Sequence, residues 1–483
     1  MLPVFSLPSP WGIGTLGEEA YRWVDFLQTA GQHWWQILPL NPIGYGDSPY
    51  CSFSAFAGNA YFIDPEILYR QGLLTRSEKH SLRWEGDRVD YGRLAMQRLP
   101  ILRKAFRRSN FRNQGEYSLF LRENRYWLED YCAFMALKSR DPGRSWMEWE
   151  APFRRRKGDF CDAISEELRE EMEFHRFLQY EFFRQWRQLK LYANRHGVAI
   201  LGDVPIYVAG DSCDVWAHPE IFQLDEEGRP VAVAGVPPDR FSATGQRWGN
   251  PLYRWDEMQK EGFSWWRERF LQAGRLFDGV RVDHFIGMVQ YYSVPATEAT
   301  AENGKWCQAR GRELLDSLAK VWERLPLVAE NLGAVTPEVT EYLERHGIPG
   351  MKLMAFGFDS DGRDPNLPAQ FERNCVVYAG THDNDTLQGQ FTAESEEWRS
   401  RVREYFGISA DVPFHKAFLR AAYASVADTV IFQMQDILGL DSRARTNRPA
   451  TTSGNWQWRL SAGDLSPNLA KDLARMVEIY GRG

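Results

Sequence analysis

Short apolar runs that end in carboxylates constrain this chain more than any other feature. Short apolar runs occupy 34–40, 198–208, 277–282, 325–329, 350–356 (weakened by its Met and Lys residues) and 375–379, and most of them lead into a carboxylate. They are too short and too uniformly apolar for surface helices, and read as strands buried on both faces. Helical segments separate them. Ala20, Trp23, Val24 and Leu27 recur at helical spacing after Gly17, and Phe174, Leu178, Phe182, Trp186, Leu189 and Ala193 do so again before Gly197. Buried strands alternating with helices predict parallel βαβ units, either as a doubly wound sheet or as a (β/α)8 barrel. Four strand-like runs lead into an acid: Asp203, Asp283, Glu330 and Asp383. A barrel gathers the C-terminal ends of all its strands around one pocket. A doubly wound sheet would instead place a glycine-rich phosphate turn at its switch point, and neither G-x-G-x-x-G nor G-x-x-x-x-G-K-[ST] stands in such a setting. The expected fold is therefore α/β, a (β/α)8 TIM barrel with mostly helical insertions between its strands. Residues 66–165 lack the strand–helix rhythm and are polar and Arg-rich, which predicts a helical insertion within a single catalytic domain spanning 1–483.

Composition narrows the partners. The formal net charge of −7 disfavours nucleic acid. The basic run Arg154-Arg155-Arg156-Lys157 reads as a solvated helix end. Six cysteines are scattered without C-x-x-C or zinc-ligand spacing, as expected of reduced thiols in a cytoplasm. The N-terminus has neither signal- nor transit-peptide character, and no apolar run is long enough to cross a membrane. The expected location is cytoplasmic. Aromatic residues make up 14% of the chain, which suits stacking on the C–H faces of sugars as well as it suits an aromatic core.

The acids define a chemistry. Retaining cleavage of a glycosidic bond needs one carboxylate to attack the anomeric carbon and one carboxylic acid to protonate the departing oxygen. A third carboxylate can oppose the developing positive charge. In Phe277-Asp278-Gly279-Val280-Arg281-Val282-Asp283-His284, Arg281 and Asp283 share one face of a strand, where a guanidinium favours an ionised nucleophile or forms a structural ion pair. Glu330 follows an apolar run, the setting that raises an acid's pKa, although a loop or capping acid fits as well. Asp383 lies in Gly380-Thr381-His382-Asp383-Asn384-Asp385, with Asp385 as its rival and a plain turn as the alternative. Asp283, Glu330 and Asp383 follow one another at roughly 50-residue spacing, compatible with one or two βα units each.

At these residues the chain resembles the α-amylase clan and, within it, the amylomaltase family, glycoside hydrolase family 77. The resemblance extends over nearly the whole chain: 41–50, 52–59, 237–242, 245–251 and 452–459 match motifs more specific than those of the clan. It implies a 4-α-glucanotransferase, in which Asp283 is the nucleophile, Glu330 the general acid/base and Asp383 the transition-state stabiliser. It further implies sugar contacts from Tyr50, Asp203, Phe241, Gln246, Trp248, Arg281, His284, His382 and Asn455. The implied partners are α-1,4-glucans as donors and glucose, maltose or another glucan as acceptor. No metal, organic cofactor, membrane or obligate protein partner is implied. Two other readings remain open at this point, a retaining hydrolase of the same clan and a non-catalytic glucan-binding barrel. Residues 446–450 depart from the family pattern: Thr446 stands where Met is more frequent, and Ala450 where Gly is more frequent. The second departure costs energy if that position needs a positive φ.

Overall fold

The computed structural model describes residues 1–84, 86–156, 160–238, 242–318, 325–333, 335–360 and 362–483. Its strands, in chain order, are β1 (Trp34–Gln36), β2 (Ala199–Pro205), β3 (Ala232–Val236), β4 (Gln246–Pro251), β5 (Gly279–Asp283), β6 (Gln290–Pro295), β7 (Lys305–Gln308), β8 (Leu327–Ala329), β9 (Gly350–Leu353), β10 (Cys375–Tyr378) and β11 (Thr429–Ile431). Seven of them pair in parallel in the order β1-β2-β5-β8-β9-β10-β11. The register runs Trp34 against Ala199, Leu201 against Gly279, Val280 against Leu327, Ala329 and Cys375 both against Gly350, and Val376 against Thr429.

The sheet is a nearly closed barrel of seven described strands rather than eight. The seam between β1 and β11 is bridged by the residues Met1 and Leu2. Leu2 N donates to Gln36 O at 3.0 Å, and Met434 N donates to Met1 O at 3.1 Å. Met1 N also donates to Phe432 O at 2.5 Å, so the two residues hold both edges and satisfy backbone groups that an open edge would leave unpaired.

Side-chain alternation divides each strand between two environments. Leu201, Val328, Met351, Leu353, Val376, Tyr378 and Ile431 form one buried cluster inside the barrel. Ile200, Val280, Val282 and Ala329, on the opposite faces, join the large cluster between barrel and helices. The inward set continues one pleat further to Asp203, Arg281, Asp283 and Glu330. The barrel is thus apolar at one level and charged at its C-terminal mouth.

The helices follow their apolar spacing. α1 (Glu18–Thr29) buries Ala20, Trp23, Val24 and Leu27. Between β1 and β2 the chain is largely helical and includes α2 (Leu128–Arg140) and the 30-residue α3 (Glu166–Arg195). Ser165 caps α3 by accepting from Leu168 N, and Gly197, at φ 73°, follows its end. Phe174, Leu178, Phe182, Trp186, Leu189 and Ala193 form its buried stripe. Arg154 and Arg155 end a short helix, and Arg156 pairs with Asp130 and lies over the Trp216 ring. Lys157, the last of that basic run, falls outside the described residues. Among the described helices none is long and apolar enough to cross a membrane.

A second, antiparallel sheet, β4-β3-β6-β7, grows from the connections after β2 and β5. It has its own small core of Val233, Tyr292, Val294 and Ala301. Because both connections leave the C-terminal ends of barrel strands, this sheet stands beside the charged mouth. Asn250 Nδ2 fastens it by donating to Val208 O at 2.8 Å.

Candidate active site

The charged mouth is organised around Arg281. Its Nη1 donates to both oxygens of Asp203, at 3.0 and 2.8 Å, and to Asp283 Oδ1 at 2.9 Å. The register makes this unavoidable, since Asp203 lies directly opposite Arg281 in the β2–β5 pair and Asp283 is two residues further along the same face. Burial separates the two acids. The Asp203 side chain is fully buried, whereas that of Asp283 is 27% exposed and open to a substrate. Tyr50 OH donates to Asp203 Oδ2 at 2.9 Å, completing that carboxylate's shell. Burial pushes Asp203 up to about 7, Arg281 opposes the shift and Asp283 adds to it. Burial also works against the Arg281 charge, but the two carboxylates hold its pKa above the ordinary range. One guanidinium between two carboxylates makes the group tolerant of a proton on the buried acid.

Glu330 follows β8. Its carboxylate accepts from His284 N at Oε2 and from Leu332 N at Oε1, both at 2.8 Å. His284 adopts φ 49°, a left-handed conformation that costs a non-glycine residue about 1 kcal/mol. That turn carries the His284 N–H to Glu330 immediately after Asp283, so the two carboxylates are tied through one backbone link. Burial raises Glu330 to about 7, with Arg281 and the two N–H donors opposing and Asp283 reinforcing.

Asp383 sits in the loop after β10, with its side chain 44% exposed. Asn447 Nδ2 donates to its Oδ1 at 2.6 Å, and Arg445 Nη2 donates to its backbone oxygen at 2.7 Å. Asp385, the alternative acid, accepts from Ser442 Oγ at 2.8 Å and from Thr386 N, so it is engaged in holding loops together. His382 is buried and stacks on Tyr50 with ring centroids 5.2 Å apart, and Trp456 completes an aromatic corner 5.7 Å from Tyr50. Burial lowers the pKa of His382, and lowers that of His284 to about 4. Both imidazoles are therefore neutral near pH 7. His382 Nδ1 is buried and has no hydrogen-bond partner among the described residues.

The wall on the other side comes from β4. Trp248, 38% exposed, meets His284 edge-on at 4.8 Å, and its Nε1 donates to Gln246 Oε1 at 3.2 Å. Phe241, expected on the same segment, lies outside the described residues. Asn455 Oδ1 accepts from Arg448 N and its Nδ2 donates to Thr451, bracing the 448–455 loop. Asn447, Arg445 and Trp456 lie against these residues, as does Tyr207, whose ring is 6.3 Å from that of His284, and none was singled out from the sequence as a contact. Trp456 and Asn447 lie within conspicuous motifs, but only the fold brings them against residues so distant in the chain.

The profile of the family described as 4-alpha-glucanotransferase matches residues 2–465. A 4-alpha-glucanotransferase of Thermus thermophilus is 45% identical over 99% of this chain and 97% of its own length. One of Clostridium butyricum is 42% identical over 99% of both. The solved amylomaltase from Streptococcus agalactiae, in complex with acarbose, superposes with a TM-score of 0.96 at 39% identity, covering all of this chain and 98% of its own. The amylomaltase from Corynebacterium glutamicum, at 18% identity, shares the fold with a TM-score of 0.80. Set beside a barrel mouth holding four carboxylates and one shared arginine, this likeness over the full length shows that the chain belongs to the 4-α-glucanotransferase (amylomaltase) family.

Proposed function

We propose that Asp283, Glu330 and Asp383 perform the 4-α-glucanotransferase reaction of this chain by retaining double displacement. The enzyme acts on α-1,4-glucans. In the first step Glu330 gives its proton to the glycosidic oxygen while an Asp283 oxygen attacks the anomeric carbon. The bond to the acceptor-side sugar breaks, and the glucan remains as an ester on Asp283. In the second step Glu330, now a carboxylate, takes the proton from the 4-hydroxyl of an incoming sugar, whose oxygen displaces Asp283. Asp383 faces the positive charge that builds on the ring in both steps.

The observation that carries this reading is the contrast between the partly exposed Asp283 and the buried Glu330. An acid raised to about 7 holds a proton at neutral pH and can take it back, as both steps require. Arg281 and Asp203 orient the nucleophile, and the neutral His284 and His382 are suited to sugar hydroxyls. The unpartnered His382 Nδ1 supports that role. Tyr50, Trp456 and Trp248 offer apolar faces on both sides of the cleavage point, with Gln246 on the Trp248 side. Such walls favour a sugar over water at the ester intermediate, and so transfer over hydrolysis. Glucose, maltose and maltodextrins are the proposed acceptors, and the cytoplasm the proposed location. We read the chain as one catalytic barrel in which 66–165 is a helical insertion.

The test is incubation with maltotriose alone. Transfer gives glucose and a ladder of longer maltodextrins with constant reducing ends, and Asp283→Asn abolishes the ladder. Reducing ends that rise with each cleavage would instead establish a hydrolase, and an unchanged ladder in Asp283→Asn would remove that residue from the mechanism.

A further inference from the structure

Two segments far apart in sequence hold Asp383: its own loop, 381–386, and the 444–447 segment that supplies Asn447 and Arg445. Both are fixed to one short helix, α4 (Met434–Leu438), which follows β11. Asp436 Oδ1 accepts from Leu387 N at 2.7 Å, at the end of the Asp383 loop. The adjacent Gln435 donates from Nε2 to Thr446 Oγ1 at 2.9 Å and to Ala444 O at 3.2 Å. Gln435, Asp436 and Thr446 are all almost fully buried. Thr446 O accepts from Trp456 N at 2.7 Å, and Asn447 N donates to His382 O at 3.0 Å. The chain of contacts therefore runs Gln435–Thr446–Asn447–Asp383, with a branch to Trp456 of the aromatic corner.

Resting on the reading of Asp383 as transition-state stabiliser, we infer that Gln435 and Thr446 are positioning residues for the reaction, setting the angle at which Asn447 presents the Asp383 carboxylate to the ring. The Gln435 side chain bonds to the 444–446 segment and to no carboxylate of the mouth. A carboxylate that must face a transient charge is sensitive to displacements well under 1 Å, because its benefit depends on alignment already in place when the charge forms. In a buried polar contact of this kind, removing one partner leaves the other unsatisfied, so the segment shifts to find a substitute. Ground-state sugar binding relies on many other contacts and responds less.

The experiment uses the full chain, with maltotriose as donor and glucose as acceptor. Thr446→Val and Gln435→Met keep the side-chain volume and remove the hydrogen bond. Each is expected to lower kcat about tenfold with KM within twofold and to leave the melting temperature within a few degrees, and Thr446→Ser is expected to restore kcat. Thr446→Val added to Asn447→Ala is expected to lower kcat no further than Asn447→Ala alone, since both act through one carboxylate. Wild-type kcat in Thr446→Val and Gln435→Met would overturn the inference, as would single losses that multiply in the double variant. Asp383→Asn separates this from the underlying reading: if it stays active, the role of Asp383 itself fails, whereas an inactive Asp383→Asn beside an unaffected Thr446→Val sinks only the positioning role.

Discussion

Replacing Glu330 by Gln removes the proton on which the proposed mechanism turns, and its effect on stability can be worked out beforehand. Burial holds Glu330 at about 7 against an ordinary value of 4.5. The folded chain therefore keeps a proton that the unfolded chain releases between those pH values. Folding stability falls as pH rises through this window, and the full cost is present above about pH 7. At about 1.4 kcal/mol per pH unit the cost is roughly 3 kcal/mol. For a chain of this length the unfolding entropy converts that into about 3 °C of melting temperature. Glu330→Gln does not titrate and avoids this loss. It carries a constant penalty instead, because its NH2 group faces one of the two N–H donors, His284 N or Leu332 N, that the carboxylate satisfies. Asp203 titrates in both proteins and largely cancels. The melting temperature of the variant, relative to wild type, is thus expected to rise by about 3 °C between pH 4.5 and pH 8, whatever its offset. Calorimetry across that range measures it. The basic limb of wild-type kcat/KM is expected near pH 7, falling tenfold per unit above it. A pH-independent difference in melting temperature, or a basic limb two units away, would refute the assignment of the raised pKa to Glu330.

Other substitutions probe the remaining parts. Tyr50→Phe keeps the stacking on His382 but deletes the bond to Asp203, a contact to a charged acceptor worth about 1.5–3 kcal/mol, so kcat/KM is expected to fall at least tenfold in steady-state assays. Trp248→Ala opens the wall beside His284; the acceptor KM is expected to rise several-fold and the hydrolysed fraction of maltotriose to grow, and an unchanged transfer-to-hydrolysis ratio would count against that wall. Ala450 sits at φ 61°, so Ala450→Gly is expected to stabilise the chain by about 1 kcal/mol, seen as a melting point about 1 °C higher with activity unchanged.

The loop departures illustrate how local rules reach into the structure. A positive φ at Ala450 is the strain that an alanine there implies if the backbone is fixed by its surroundings. Thr446, in contrast, gains a meaning only once Gln435 is known to lie against it. Strand boundaries show the same division. Gly350 begins a strand as the apolar run predicts, but the pairing stops at Leu353, because Met354–Phe356 turn into a single helical turn while Ala355 N still reaches Ala379 O. β11 was not read from the sequence at all: three residues, Thr429–Ile431, carry too little pattern to stand out, and their identity as a strand comes from pairing with β10. Strands β3 and β4 of the sheet beside the mouth were equally silent, since Gly235 and Gly249 interrupt their alternation.

What the sequence determined by itself is whatever depends on residues close together in the chain. Period and length set which runs become buried strands and which become helices, and alternation puts Arg281 and Asp283 on one face before any fold is known. The family motifs carried the chemistry the same way, because each is a contiguous stretch. Only the tertiary structure decided which of four strand-end acids is exposed enough to react and which is buried, that Tyr50 serves Asp203, that Asn447 serves Asp383, and that Asn455 is bound up in bracing its own loop. These outcomes depend on register between strands and on the desolvation of individual carboxylates. Both are set by the summed packing of segments hundreds of residues apart, and no local pattern records that sum.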